Sequence, residues 1–112
     1  MKTITVILPT IKQIEFKIHI HDEDIPVKGN AVVSGDDKFD KQVEDHITKR
    51  LDAGDSWAWC TVEVKGTYKC LTASEYLGAC SYENEKSFKK DGYYDDMCKT
   101  VYNEIIKQIE SL

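Results

Sequence analysis

Trp57-Ala58-Trp59-Cys60-Thr61-Val62-Glu63-Val64 is the stretch on which the fold turns. Ala58, Cys60, Val62 and Val64 take every second position, so a pleated strand sends them to one face and Trp57, Trp59, Thr61 and Glu63 to the other. Its β-branched and aromatic residues suit a half-buried strand. Downstream, Lys65-Gly66 predicts a turn into a partner strand through Thr67-Tyr68-Lys69-Cys70-Leu71. Residues 72–82 admit two readings. Thr72 and Glu75 have the spacing of a capping box, which favours a short helical turn, and a loop ending in a short strand fits equally.

Upstream, Ile14, Phe16, Ile18 and Ile20 alternate with Glu15, Lys17, His19 and His21, a second period-two strand. Ile4, Val6 and Leu8 predict an earlier strand, with Pro9-Thr10-Ile11-Lys12 as the turn between the two. Asp22 to Gly35 is irregular, punctuated by Pro26, Gly29 and Gly35. A helix is expected from Ser34 or Gly35, with Ser34 and Asp37 as a variant capping box. Its apolar stripe is Phe39, Val43, Ile47 and Leu51, and Gly54 is its stop. A longer helix is expected from about Tyr93 to Ser111, where Tyr94, Met97, Cys98, Val101, Ile105, Ile109 and Leu112 recur at helical spacing. Glu83–Lys90 reads as one or two helical turns before it.

These elements in the order β-β-α-β-β-α predict one α+β domain over residues 1–112. Its antiparallel sheet would have three to four strands, with two main helices packed on one face. A length of 112 residues accommodates a single core.

The formal net charge of −5 sits in one region. Residues 21–55 hold ten acids against five bases, and the rest of the chain holds ten of each. Phosphate binding needs clustered Lys and Arg, so direct nucleic-acid binding is not expected and a protein partner with a basic surface is. No run approaches the roughly 20 apolar residues that span a bilayer, so no membrane association is expected. Met1–Pro9 reads as a strand rather than a signal peptide, which predicts a cytoplasmic monomer or small homo-oligomer. In that compartment Cys60, Cys70, Cys80 and Cys98 are expected as thiols, with an oxidised framework as the alternative, since an even count alone does not imply two disulfides.

No spacing in the chain announces a reaction, and no catalytic residue, metal or cofactor is assigned. His19 and His21 share a strand face ahead of Asp22-Glu23-Asp24 and offer two nitrogens to a metal, but they also simply continue the solvent face of Glu15 and Lys17. His46, at the edge of a helical stripe, reads as a partly buried structural histidine. Cys80, flanked by Gly78, Ala79 and Ser81, is the candidate reactive thiol. Trp57 and Trp59 are interface anchors if the sheet has an open face, and core residues if both faces are covered. Asp37, Asp40 and Glu44 run along one helix flank, while Asp37–Lys41 and Asp45–Lys49 are spaced to pair. The flank is either a solvated face or, with Asp22, Glu23 and Asp24, a partner-binding surface.

Three phrases carry a resemblance: Gly54-Asp55-Ser56-Trp57-Ala58-Trp59, Tyr76-Leu77-Gly78-Ala79-Cys80-Ser81-Tyr82 and Asp91-Gly92-Tyr93-Tyr94-Asp95-Asp96-Met97. With Gly29-Asn30 and Ser34-Gly35-Asp36-Asp37, they resemble small uncharacterised acidic proteins encoded by bacteriophages and plasmids, over roughly residues 14–110. The resemblance brings no active site with it. It implies a mobile-element context, in which small acidic proteins include anti-CRISPR and antirestriction inhibitors of host nucleic-acid-processing complexes. The function expected on that basis is non-enzymatic inhibition of such a complex. Binding would use Asp22, Glu23, Asp24, Asp37, Asp40, Glu44, Trp57 and Trp59, either by standing in for phosphates or by steric blocking. The alternatives are a small metal- or thiol-dependent protein using His19, His21 or Cys80, and a structural phage accessory protein.

Overall fold

The computed structural model describes residues 7–112. Within them the chain is α+β, with a three-stranded antiparallel sheet and three helices, two of them long. The elements are β1 (Glu15–His21), α1 (Asp37–Asp52), β2 (Cys60–Tyr68), β3 (Leu71–Cys80), α2 (Glu85–Lys90) and α3 (Gly92–Glu110). Sheet order is β1-β2-β3, so the strand that dominates the sequence pattern is the central one. Most of the expected earliest strand lies outside the described residues. Residues 7–10 are not in a strand, and a 3-10 turn over Ile11–Gln13 leads into β1.

The hairpin differs from expectation in register. β2 continues through Lys65-Gly66 and turns only at Lys69-Cys70, where Lys69 adopts φ +54°. Residues 71–80, for which the sequence allowed two readings, form a ten-residue strand. Packing explains why Gly66 is not the turn. A Cβ there would lie 2.5 Å from Cγ1 of Val101 and 3.0 Å from Cγ2 of Ile14. Gly66 is therefore a point of close approach between α3 and the central strand, which a glycine in a strand often marks.

α3 packs across β2 and β3, burying Met97, Cys98, Val101, Ile105 and Ile109 against Cys60, Val62 and Val64. Five of the seven residues expected on its apolar stripe are thus core. Tyr94 packs against the core partly buried, and Leu112 is exposed, one residue past the helix cap. Phe88 of α2 closes the same core, edge-on to Tyr82 and Tyr94 and tilted against Trp57.

α1 does not join α3 on the sheet. It docks on the 3-10 turn Ser56–Ala58, where Ile47, Ala58 and Trp59 form a second small core with Val27, Ala31, Val43 and Leu51 around it. Its N-cap is Asp36 rather than Ser34: the Asp36 carboxylate accepts from the amides of Lys38 and Phe39. Gly35, at φ +90°, reverses the chain after Ser34, so Asp36 is the residue left at the mouth of the helix. The far end behaves as expected. Gly54 at φ +88° donates to Leu51 O and Asp55 N–H to Arg50 O, the paired bonds of a Schellman stop.

Gly66→Ala is expected to destabilise the protein by about 1–3 kcal/mol, because the added methyl overpacks a rigid β-branched neighbour. Urea unfolding of Gly66→Ala and of the double variant Gly66→Ala/Val101→Ala measures this. Because Val101 is itself core, the reference for the double variant is Val101→Ala alone, and Gly66→Ala should cost less in that background than in wild type.

Candidate functional site

α1 and the loop before it enclose a cleft of about 700 Å³. One side is apolar, from Val27, Val32 and Val33. The other carries Asp37, Asp40, Glu44 and Asp45 along the helix, with Lys28 and Lys41 as its cations. Three of the residues expected to bind a partner, Asp37, Asp40 and Glu44, are brought together here.

Two of these acids also have internal work. Asp40 accepts from the backbone N–H of Ser34 and, at 2.6 Å, from its hydroxyl. Glu44 accepts from Gly29 N–H at 2.6 Å. These bonds tie the loop to α1 and shape the cleft. Their donors are neutral, so the carboxylates are oriented without being neutralised. Lys41 pairs with Asp45, not Asp37, at 3.2 Å. Asp37 has no hydrogen-bond or ion-pair partner among the described residues. The cleft is therefore a negative trough with an apolar wall, suited to the stem and head of a Lys or Arg side chain.

The other expected partner-binding residues lie elsewhere. Asp22 and Asp24 are exposed. Glu23 between them turns inward to a bulge in β3. From Cys60/Cys80 to Val62/Leu77 the ladder gains one residue on β3, and Ala79 there adopts φ +53°. The Glu23 carboxylate accepts from Ala79 N–H and from the Thr61 hydroxyl, and a Cβ on Gly78 would crowd it at 3.0 Å. These donors, the Ala79 amide foremost, hold Glu23 below the usual carboxylate range. Glu23 is thus a clasp between loop and hairpin, not a free surface acid.

Of the two tryptophans, Trp59 follows the core alternative and is not a surface anchor. Trp59 is only 6% exposed, and its indole N–H donates to Ile25 O at 2.7 Å. Trp57 is half-buried against Phe88. Residues 56–58 are a 3-10 turn rather than strand, so the expected faces do not hold there: Trp57 packs on the α3 core, while Ala58 and Trp59 pack with α1. His46, in turn, is exposed rather than partly buried.

The face of the sheet away from α3 is polar and organised around Glu63, which strand alternation places there but nothing else in the sequence marks. Its carboxylate accepts from the Ser74 hydroxyl at 2.6 Å and the Tyr76 hydroxyl at 3.3 Å, and its Oε1 lies 2.7 Å from Nε2 of His21. Ser74 and His21 are the main causes that hold Glu63 below its ordinary value. In a nucleophilic triad, histidine stands between the acid and the hydroxyl. Here the acid stands in the middle, and the hydroxyl faces no base. His19 and His21 do share a face, as expected, yet no group of three or more His, Cys, Asp or Glu converges as a metal set among the described residues. Cys80 is buried rather than presented, and burial pushes its thiol up to about 11.

No helix among the described residues is long and apolar enough to cross a membrane. Neither the known protein families, nor curated proteins, nor solved structures yield a match to this chain.

A carboxylate with a lowered folded pKa contributes stability that is complete above its unfolded value, near 4.5, and lost as pH falls through the folded value. At neutral pH, Glu63→Gln should cost about 1–2 kcal/mol through its hydrogen-bond network. The deficits of Glu63→Gln and Glu23→Gln relative to wild type should both shrink below pH 4.5, as followed by thermal unfolding across pH.

Proposed function

We propose that this chain is a non-enzymatic binding protein that seats a basic segment of a partner protein in the cleft between α1 and residues 27–33. The observation that carries this reading is the pairing of uncompensated carboxylates with an apolar wall in one groove. Such a groove recognises Lys or Arg by charge and by the methylene stem together. The net charge of −5, confined to residues 21–55, steers basic surfaces toward this end of the molecule and repels nucleic acid.

The resemblance to acidic proteins of phages and plasmids favours a host nucleic-acid-processing complex as the partner, with inhibition as the outcome. Basic surfaces that hold phosphates are the natural complement of the groove. Because Trp59 is internal, the contact rests on the acids of α1, with Asp22 and Asp24 as flanking charges, and not on an indole patch.

The test uses Asp37→Lys, since Asp40 and Glu44 also hold the loop and their loss would confuse binding with folding. Proteins captured from a bacterial host lysate by immobilised wild type should be lost when ionic strength rises from ~0.05 to ~0.5 M. Asp37→Lys should weaken capture of the same protein about tenfold, with a stability loss limited to about 0.3–1 kcal/mol from placing a cation in the first turn of α1. Retention that is indifferent to both salt and Asp37→Lys would sink the electrostatic mechanism.

A further inference from the structure

Cys60 and Cys80 face each other across β2 and β3, both on the core side and both free thiols. The bulge puts them there. In an unbroken ladder, Cys80 would point to the side opposite Leu77, three residues before it. The extra residue on β3 restores it to the core face, directly opposite Cys60. Opposed residues in an antiparallel pair have Cα atoms about 4.5–5.5 Å apart, inside the window of about 4.4–6.8 Å in which a disulfide closes. Cys70 lies exposed in the hairpin turn and Cys98 on α3, neither in register with this pair.

We propose that Cys60 and Cys80 form a reversible cross-strand disulfide, a redox latch across the bulge that receives Glu23. The oxidant is a low-molecular-weight disulfide of the glutathione class. Both thiols are buried, and Cys80, at 4% exposure against 1% for Cys60, is the entry thiol: it borders a hollow of about 320 Å³ with Trp59, Tyr82 and Tyr93, and its thiol must leave the Leu77 carbonyl to react. It loses its proton to solvent, and its thiolate attacks one sulfur of the oxidant. That S–S bond breaks, and one small thiolate leaves. The Cys60 thiolate then attacks Cys80 Sγ and expels the second. Two protein thiols are oxidised by two electrons, and one small disulfide is reduced to two thiols.

Burial holds Cys60 near 12 and Cys80 near 11, so little of either is thiolate at neutral pH. Closure is therefore slow there and accelerates as pH rises. This makes the latch responsive to sustained rather than passing oxidation. Closing it pins residues 77–80, whose Ala79 amide holds Glu23 and through it the loop that walls the acidic cleft. That consequence rests on the function proposed above, whereas the disulfide does not.

The experiment treats folded Cys70→Ser protein with glutathione disulfide at mildly alkaline pH, then maps non-reduced tryptic peptides. Removing the exposed Cys70 makes the assignment unique, because it shares a tryptic peptide with Cys80. A Cys60–Cys80 crosslink that is reversed by dithiothreitol is expected, with Tm raised by about 5 °C or more. The crosslink should form faster at higher pH and be absent in Cys80→Ala. Cys60 joined to Cys98, a glutathione adduct that never resolves, or a crosslink formed only in denaturant would each overturn the latch. Partner capture by the oxidised and reduced forms is measured separately, so failure of the binding reading leaves the disulfide result intact.

Discussion

The contact between β2 and α3 at Gly66 sets the spacing of the molecule. β2 is the strand paired on both edges, and its inner side chains Val62 and Val64 are fully buried. At Gly66 no Cβ stands between the strand and Val101, so the helix settles closely onto the sheet. Core packing at this density transmits small volume changes, which makes one methyl at that position consequential. From this contact the rest of the arrangement follows. With α3 occupying one face, the polar residues of β1, β2 and β3 line the other, and Glu63 gathers His21, Ser74 and Tyr76 around itself. α1, which finds no place on the sheet, builds its own core on the 3-10 turn before β2.

The acids of the chain divide by what they accept from. Glu23, Asp36, Asp40 and Glu44 accept from backbone amides of the irregular segment, of the β3 bulge or of the first turn of α1. A segment with few apolar anchors is held in place by such bonds. Neutral donors fix a carboxylate without cancelling its charge, so the same residues that organise the loop leave a negative field over the cleft. Substituting Asp40 or Glu44 would therefore change the loop's anchoring and the field over the cleft together. The Asp37 carboxylate, which has no partner among the described residues, is the acid of the cleft whose charge can be changed without untying the loop.

The polar and thiol groups of the described residues are held in their less reactive forms. Glu63 is held in its charged form by its donors, which weakens it as a proton acceptor. Cys60 and Cys80 are held protonated by burial, which weakens them as nucleophiles toward substrates while leaving slow disulfide exchange open. What the surface does offer is shape and negative charge in one groove, and the proposed binding of a basic segment rests on that groove.

Much of the core was legible in the sequence. The alternation of Cys60, Val62 and Val64 and the stripe from Met97 to Ile109 identify buried residues, and the alternation of β1 identifies the side that packs partly buried on the core. Ala58 is buried too, but in the 3-10 turn and the second core rather than on the strand face. These faces were legible because periodicity follows directly from strand and helix geometry. Gly54 as a helix stop was legible for the same local reason. The acids of α1 were legible as a shared flank, but not their bonds to Ser34 and Gly29, which lie across a loop whose path no local rule gives. Phe39 shows the limit of the α1 stripe: it has helical spacing yet remains 48% exposed, since a stripe says which side is apolar and not how far a partner surface extends. The hairpin turn, the inward turn of Glu23, the burial of Trp59 and the opposition of Cys60 to Cys80 were decided by tertiary structure alone. Each depends on a long-range contact: α3 upon Gly66, Ala79 upon Glu23, Ile25 upon Trp59, and one extra residue in β3. Sequence determines the period and the faces of each element, because those are properties of a few neighbouring residues. Which faces meet is decided by the packing of distant segments, where an inserted residue or a missing Cβ outweighs local preference.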